Sequence, residues 1–288
     1  MNRQELLYNL LHAERTLVMG VLNITEDSFS DGGRYLEADK AFAHAQLMIE
    51  QGADIIDIGA ESTRPGAVRV PEETEKERVV TAVRAVTEHY PQIAVSVDTT
   101  RASVAQAALE AGAHIINDVS GGQLDPGIAR VVANSDCLYI VQHWRAWLDG
   151  EGETKTTDYE HGVVRDTYDE LLEQVRAVET SGVPSERIII DPGLGFSKPT
   201  IAHNMPLINQ THVFASMGYP VLIGASRKRF VAQLVQRAGL SDSEAARDDV
   251  TASLTVVAAQ QGAWAVRVHD VPRNRLAVQV VRESAHAE

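Results

Sequence analysis

A series of short apolar runs in this chain each stop at a polar or charged residue whose type can do chemistry. Asn23 follows the run 17–22, Asp57 and Glu61 follow 55–56, and Asp98 follows 93–97. Asn117 follows 115–116, His143 follows 138–141, and Asp191 follows 188–190. The run 264–268 contains Arg267 and ends at His269, while 221–224 delivers Ser226, Arg227 and Lys228. Carboxylates and amides read the donors and acceptors along a substrate edge, and arginine, lysine and histidine hold anions. No Ser–His–Asp or Cys–His set accompanies them, and His114, His161, His203 and His212 lack the spacing of a zinc site.

Such residues act together only if the runs are parallel strands ending on one face. Strands are predicted at 17–22, 54–58, 93–98, 114–117, 138–142, 187–191, 219–224 and 264–269. Helices are predicted between them at 38–51, 72–90, 103–111, 126–134, 163–181, 202–217 and 244–261, with one opening near Arg227 and a last one at 272–283. The strand runs are apolar throughout rather than alternating, as expected when both faces are buried. Regularly spaced strand–helix units favour a single (β/α)8 TIM barrel over a doubly wound open sheet, with the chemistry at its carboxyl-terminal rim. That barrel fills residues 1–288 as one domain behind a leader at 1–15. Two long polar loops, 23–35 and 59–70, read as mobile βα loops 1 and 2. Residues 145–160 carry no assignable chemistry.

Bulk composition narrows the partners. A formal net charge of −14 argues against nucleic acid or an anionic membrane surface. The one cysteine, Cys137, beside an apolar run, fits a buried small residue in a reducing cytoplasm. No run approaches the ~20 apolar residues of a membrane span, and the first residues do not read as a signal peptide.

The motifs Met19-Gly-Val-Leu-Asn-Ile-Thr-Glu-Asp-Ser-Phe-Ser-Asp-Gly-Gly33 and Asp57-Ile-Gly-Ala-Glu-Ser-Thr-Arg-Pro-Gly66 resemble the two signature loops of the dihydropteroate synthase family. So do Ser96-Val-Asp-Thr99, Ile116-Asn-Asp-Val-Ser-Gly121, Asp191-Pro-Gly-Leu-Gly-Phe196, Gly224-Ala-Ser-Arg-Lys-Arg-Phe230 and Val266-Arg-Val-His-Asp270, all in family order over residues 17–281. The resemblance implies condensation of 4-aminobenzoate with 6-hydroxymethyl-dihydropterin diphosphate, giving dihydropteroate and diphosphate.

The residue types suit that chemistry. A pterin presents ring N–H and amino donors beside a carbonyl acceptor, and reading it in a dry pocket needs carboxylates and a cation or amide. Asp98, Asn117, Asp191 and Lys228 supply that complement. By resemblance Asp191 takes the ring N–H and amino group, Lys228 reaches the carbonyl side, and Asp98 and Asn117 hold the other edge. A leaving diphosphate needs a cationic clamp, for which Arg64, Arg267 and His269 are the candidates, Arg267 also stacking on the pterin face. With Lys228, these three form the expected catalytic set. The resemblance makes Asn23 the ligand of a Mg2+ cofactor and brings Thr63 to the pterin diphosphate. It places Phe29, Ser62, Arg64 and Pro65 at the aminobenzoate, with Phe196 and Ser226, where a helix amino terminus at 226–228 would attract the carboxylate. Loop 25–33, with Gly32 and Gly33 as hinges, reads as a lid, and Trp144 and Trp147 as candidate walls of the pterin pocket. His143 reads as a packing histidine.

Glu26, Ala60, Gln142 and Ser197 depart from the common family pattern, without removing a group given a role above. Two rival functions remain open: a methyltetrahydrofolate–corrinoid methyltransferase, which has no use for a diphosphate clamp, and a diverged paralogue that binds pterin or a partner without condensing. The family resemblance also implies a homodimer, for which 250–259 and 276–281 offer apolar faces.

Overall fold

The structure, a computed structural model, describes residues 2–24, 34–61, 69–145 and 157–285, with the backbone alone for 34–38. In chain order come α1 (Arg3–Leu11), β1 (Leu17–Asn23), α2 (Arg34–Glu50), β2 (Ile55–Gly59) and α3 (Glu72–His89). Next are β3 (Ala94–Asp98), α4 (Ala102–Glu110), β4 (Ile115–Asp118), α5 (Gly127–Ala133), β5 (Leu138–Gln142) and α6 (Val163–Thr180). The chain finishes with β6 (Ile188–Asp191), α7 (Ile201–Asn209), α8 (Thr211–Ala215), β7 (Leu222–Ile223), α9 (Arg229–Arg237), α10 (Glu244–Gln260), β8 (Ala265–Val268) and α11 (Val271–Ala285).

The 8-stranded sheet runs β6-β5-β4-β3-β2-β1-β8-β7 with parallel pairing throughout. A parallel bridge between Ile190 and Val221 joins the first strand of that order to the last, with Ile190 N–H donating to Pro220 O at 2.9 Å. The sheet therefore closes, and the fold is a (β/α)8 TIM barrel. No described helix is long and apolar enough to cross a membrane.

Side chains alternate across each strand, so the barrel has two cores. Outward residues such as Val18, Ile56, Val95, Ile116, Tyr139, Ile190 and Val266 pack against the helices. Inward residues Leu17, Met19, Ile55, Ala94, Ile115, Leu138, Ile140, Ile189, Leu222 and Ala265 form the second cluster together with Leu6, Leu7 and Leu10 of α1. Two and four positions further along the same strands, that inward series becomes Asp57, Ser96, Asp98, Asn117, Gln142, Asp191 and Arg267. Apolar filling at one end thus gives way to polar groups at the carboxyl-terminal end.

Three local differences from the sequence reading have physical causes. The leader contains a helix, α1, closed by a reciprocal cap: Asn2 Oδ1 accepts from Glu5 N–H at 2.8 Å and Glu5 Oε2 from Asn2 N–H at 2.9 Å. Its leucines stop the amino-terminal mouth of the barrel, and Trp264 Nε1 donates to Leu10 O at 2.8 Å. The helix expected over 202–217 breaks at Gln210 (φ −118°, ψ 31°), where the Thr211 hydroxyl turns back onto Ile208 O at 2.9 Å. The helix expected near Arg227 begins at Arg229 instead, because Arg227 adopts a left-handed φ of 56° and Lys228 occupies the cap position.

Candidate active site

Arg267 sits at the centre of the rim. From β8 its Nε donates to Asp57 Oδ2 of β2 at 2.6 Å and its Nη2 to Asp98 Oδ2 of β3 at 2.8 Å. Asn117 of β4 points its Nδ2 at the Asp57 carboxylate, 3.3 Å from Oδ2. Burial works against the Arg267 charge, but Asp57 and Asp98 outweigh it and its pKa lies above the ordinary arginine value. Asp98 experiences the opposite balance: burial raises its pKa to about 7 despite Arg267 and Lys228, with Asp57 adding repulsion. Its second oxygen, Oδ1, is buried and accepts no hydrogen bond, and neither does Ser96 Oγ.

Asp191, at the end of β6, closes the opposite side. Its Oδ1 accepts from Gly193 N–H at 2.7 Å, in a turn where Gly193 has φ 69°. A Cβ on Gly193 would lie 2.4 Å from His143 O, so only glycine fits. Asp191 Oδ2 and Arg267 Cβ both approach Gly224, at 3.7 and 3.8 Å from where its Cβ would stand. Burial raises the Asp191 pKa; the Gly193 amide, Lys228 and Arg267 oppose it. Lys228 is half-buried, and its pKa falls to about 8 through desolvation and the neighbouring Arg267, with Asp191 and Asp98 pulling the other way. Its Nζ stands 4.0 Å from the centroid of the Phe196 ring.

Ser226 and His269 meet beside this group. Ser226 Oγ and His269 Nδ1 are 2.9 Å apart, and His269 N–H donates to the same Oγ at 3.2 Å. Arg227 turns away and pairs with Asp248 of α10, Nε to Oδ1 at 3.0 Å and Nη2 to Oδ2 at 2.9 Å. A separate ionic network supports the β2 and β3 ends. Arg69 grips Glu61 through Nε at 3.0 Å and Nη2 at 2.9 Å, and Arg101 bridges the buried Glu75 and Val70 O. Thr99, next to Asp98, donates from its hydroxyl to Glu75 Oε1 at 2.7 Å. Burial raises the Glu75 pKa, against the Thr99 hydroxyl and Arg101.

These groups cluster at the carboxyl-terminal mouth of a parallel barrel, where ligands of such barrels bind. Residues 19–269 match the pterin binding enzyme family. A dihydropteroate synthase from Mycobacterium leprae is 44% identical over 271 residues, covering 94% of this chain and 94% of that one. The dihydropteroate synthase of Bacillus subtilis is 42% identical over 262 residues, covering 91% of this chain and 86% of its own. The solved structure of dihydropteroate synthase from Xanthomonas albilineans in complex with 7,8-dihydropteroate has a TM-score of 0.82 at 33% identity, covering 96% of this chain and 95% of that one. The chain belongs to the dihydropteroate synthase family.

Of the residues expected from membership of the dihydropteroate synthase family, Asp98, Asn117, Asp191, Lys228 and Arg267 are brought together at this mouth, with Phe196, Ser226 and His269 beside them. Phe29, Ser62, Thr63, Arg64, Pro65, Glu26 and Trp147 lie outside the described residues. The helix terminus expected at 226–228 is displaced, so Ser226 is held by His269 rather than by a helix end. His143 is a fully paired buried histidine, Nδ1 2.9 Å from Lys198 Nζ and Nε2 3.0 Å from Glu170 Oε2. Asp57 had no role in the sequence reading, although its strand-end position signalled it. Its importance comes from Arg267, which is 210 residues away in sequence.

Asn23 ends β1 with its Oδ1 3.7 Å from the Cβ position of Gly59, where Asp98 Cβ and Oδ2 also approach at 3.6 and 3.9 Å. An amide oxygen facing the rim is a suitable hard donor for Mg2+. Among the described residues no group of three or more His, Cys, Asp or Glu could hold a metal ion unaided. A single amide oxygen would leave most coordination positions of such an ion to substrate oxygens and water.

Proposed function

We propose that the chain is a dihydropteroate synthase that condenses 6-hydroxymethyl-7,8-dihydropterin diphosphate with 4-aminobenzoate. One observation carries the assignment: Asp98 Oδ1 is buried with no hydrogen-bond partner, beside the buried Asn117 and Asp191 and the half-buried Lys228 and Arg267. A buried acceptor without a donor is costly, and a planar ring bearing N–H groups would satisfy it. Asp191, with one oxygen held by Gly193 N–H, keeps the other for the opposite donors of the ring. Lys228 would donate to the carbonyl. Arg267, fixed at two of its nitrogens by Asp57 and Asp98, presents a flat guanidinium on which the ring stacks.

The reaction breaks the bond between the pterin methylene and the diphosphate oxygen, and the electron pair leaves with that oxygen. The arylamine lone pair then forms the new carbon–nitrogen bond, and the surplus proton passes from nitrogen to solvent or to the departing diphosphate. An arylamine is a free base at neutral pH, so the chain needs no general base. His269, held by Ser226, and Arg267 would stabilise the negative charge that develops on the leaving group. Asn23 would hold a Mg2+ ion, which when bound would neutralise diphosphate charge. Steady-state turnover with both substrates and Mg2+, followed by diphosphate release and by dihydropteroate formation, tests the assignment. Folded protein that binds pterin yet releases no diphosphate would make it a non-condensing paralogue, and methyl transfer from methyltetrahydrofolate would make it a methyltransferase.

A further inference from the structure

Beneath the loop that follows β6 lies a charged cluster that the proposed reaction does not use. Lys198 is completely buried, and its Nζ meets three acceptors: His143 Nδ1 at 2.9 Å, Phe196 O at 3.2 Å and Gly193 O at 3.3 Å. His143, also fully buried, has its Nε2 3.0 Å from Glu170 Oε2 of α6. Arg145 grips the same carboxylate, Nε to Oε2 at 2.8 Å and Nη2 to Oε1 at 2.6 Å, and stacks 3.9 Å over the Tyr159 ring. Tyr159 in turn donates its hydroxyl to Ser197 O at 3.2 Å.

The hydrogen-bond inventory fixes where the protons sit. Glu170 can only accept, so His143 donates from Nε2 and leaves Nδ1 as an acceptor. Lys198 must then donate to His143, and with two carbonyls besides it uses three N–H bonds. An ammonium has three and a neutral amine two, so the arrangement is complete only with Lys198 charged. Burying a charge is expensive, and a lysine kept for packing alone could be replaced by an apolar side chain at no loss. Ser197 adopts a left-handed φ of 53°, a sparsely populated conformation for a non-glycine residue, immediately before Lys198 turns under the loop.

Both clamped carbonyls belong to residues that set the rim. Gly193 donates its N–H to Asp191 Oδ1, and Phe196 carries the ring beneath Lys228 Nζ. Asn204 completes the frame, accepting from Gly195 N–H at 2.8 Å and donating to Lys198 O at 2.7 Å. We propose that Lys198, supported by His143 and Glu170, is a positioning residue that holds Asp191 and Lys228 in the spacing that reads the pterin edge. This role rests on the pterin-binding assignment above and adds a second layer of residues to it.

Charges from every packed element act on Lys198. Burial, then Arg145 and Lys228, push its proton off, and Asp191 and Glu170 hold it on, for a pKa of about 7. Tyr159 faces it at 5.8 Å from Nζ to ring centroid, and His143, whose own pKa burial and Lys198 depress to about 3, stays neutral.

Calorimetric titration with 6-hydroxymethylpterin alone is the decisive experiment. Lys198→Met should weaken its binding by about tenfold, as expected for losing several charge-assisted bonds. In turnover the loss should appear in the KM for pterin diphosphate; a merely structural defect would lower the folded fraction and the saturated rate at unchanged KM. Glu170→Gln, at a half-exposed position, keeps an acceptor for His143 but removes the charge that retains the Lys198 proton. Its dissociation constant relative to wild type should rise between about pH 6 and about pH 7.5, a ratio in which the titrations of Asp98 and Lys228 cancel. Unchanged pterin affinity in Lys198→Met, or a ratio flat with pH in Glu170→Gln, overturns the positioning role. Wild-type protein that fails to bind the pterin overturns the functional assignment instead.

Discussion

The two mouths of this barrel are built from the same strands and the same inward-facing positions, yet they solve opposite problems. At the amino-terminal mouth, Leu6, Leu7 and Leu10 of α1 seal Leu17, Met19, Ile55, Ile115 and Ala265 in an apolar layer. Each fully buried leucine there is worth roughly 1.5–3 kcal/mol. At the carboxyl-terminal mouth, the inward positions hold the buried Asp57, Asp98 and Asp191 with the half-buried Arg267 and Lys228, and one carboxylate oxygen lacks a partner. Burying charge costs several kcal/mol per ion before pairing recovers it. One end contributes stability; the other gives some up to keep groups ready for a ligand.

The largest expected effect is at the charged end. Arg267→Ala leaves Asp57 and Asp98 buried without their cation, which should cost about 3–5 kcal/mol of stability. It should also lower kcat/KM by at least about tenfold, since a charge-assisted contact is worth roughly 1.5–3 kcal/mol. Denaturant melts and turnover measure the two effects, and full activity in the variant would show that Arg267 is not part of the reacting site. Leu7→Ala, at the apolar end, should cost about 2–4 kcal/mol in the same melts. The KM for pterin diphosphate should not change, and a shifted KM would mean that the two ends are coupled.

Much of this division is legible in the sequence, and the remainder is lost for identifiable reasons. The apolar runs and the polar residues that end them announce the strands and the rim, because a strand buried on both faces has no alternation to obscure its limits. Motif order identifies the family. What escapes are the relationships between distant segments. Asp57 acquires its role from Arg267 across the mouth, and Lys198 from His143 and Glu170 of other elements. The α1 helix is short and weakly amphipathic, so its leader reads as featureless until the open barrel end it fills is known. Arg227 shows a local limit: its left-handed backbone moves the start of α9 by two residues, and no feature of its side chain signals this.

The smallest effect expected is on pH dependence, and it refines the contrast. Asp98, raised to about 7, must be ionised to accept a ligand N–H, so pterin affinity should fall as pH drops below that value. Lys228, lowered to about 8, must keep its proton to meet a carbonyl, and Lys198, at about 7, to hold the loop beneath it, so affinity should fall again as pH climbs through those values. Both shifts arise first from burial, so the carboxyl-terminal end is least stable without ligand where it binds best. Raised Asp98 favours the folded chain at acid pH, and this advantage disappears as pH climbs through about 7. Depressed Lys228 favours it at alkaline pH, with that advantage gone as pH falls through about 8. Calorimetry with 6-hydroxymethylpterin from acid to alkaline pH checks the window, and an affinity constant across it would break the link between burial and recognition.

The cylinder is not equally stitched around its circumference. β5 and β6 share a ladder of four residue pairs, but β6 meets β7 through the bridge from Ile190 to Val221, and β7 itself has two residues. Any transient parting of the wall therefore begins at this seam. Asp191 stands on one lip, and the chain leading to Lys228 leaves from the other. A bound ring that engages both side chains would act as a rivet across the weakest join, so holding substrate and holding the barrel shut become one event.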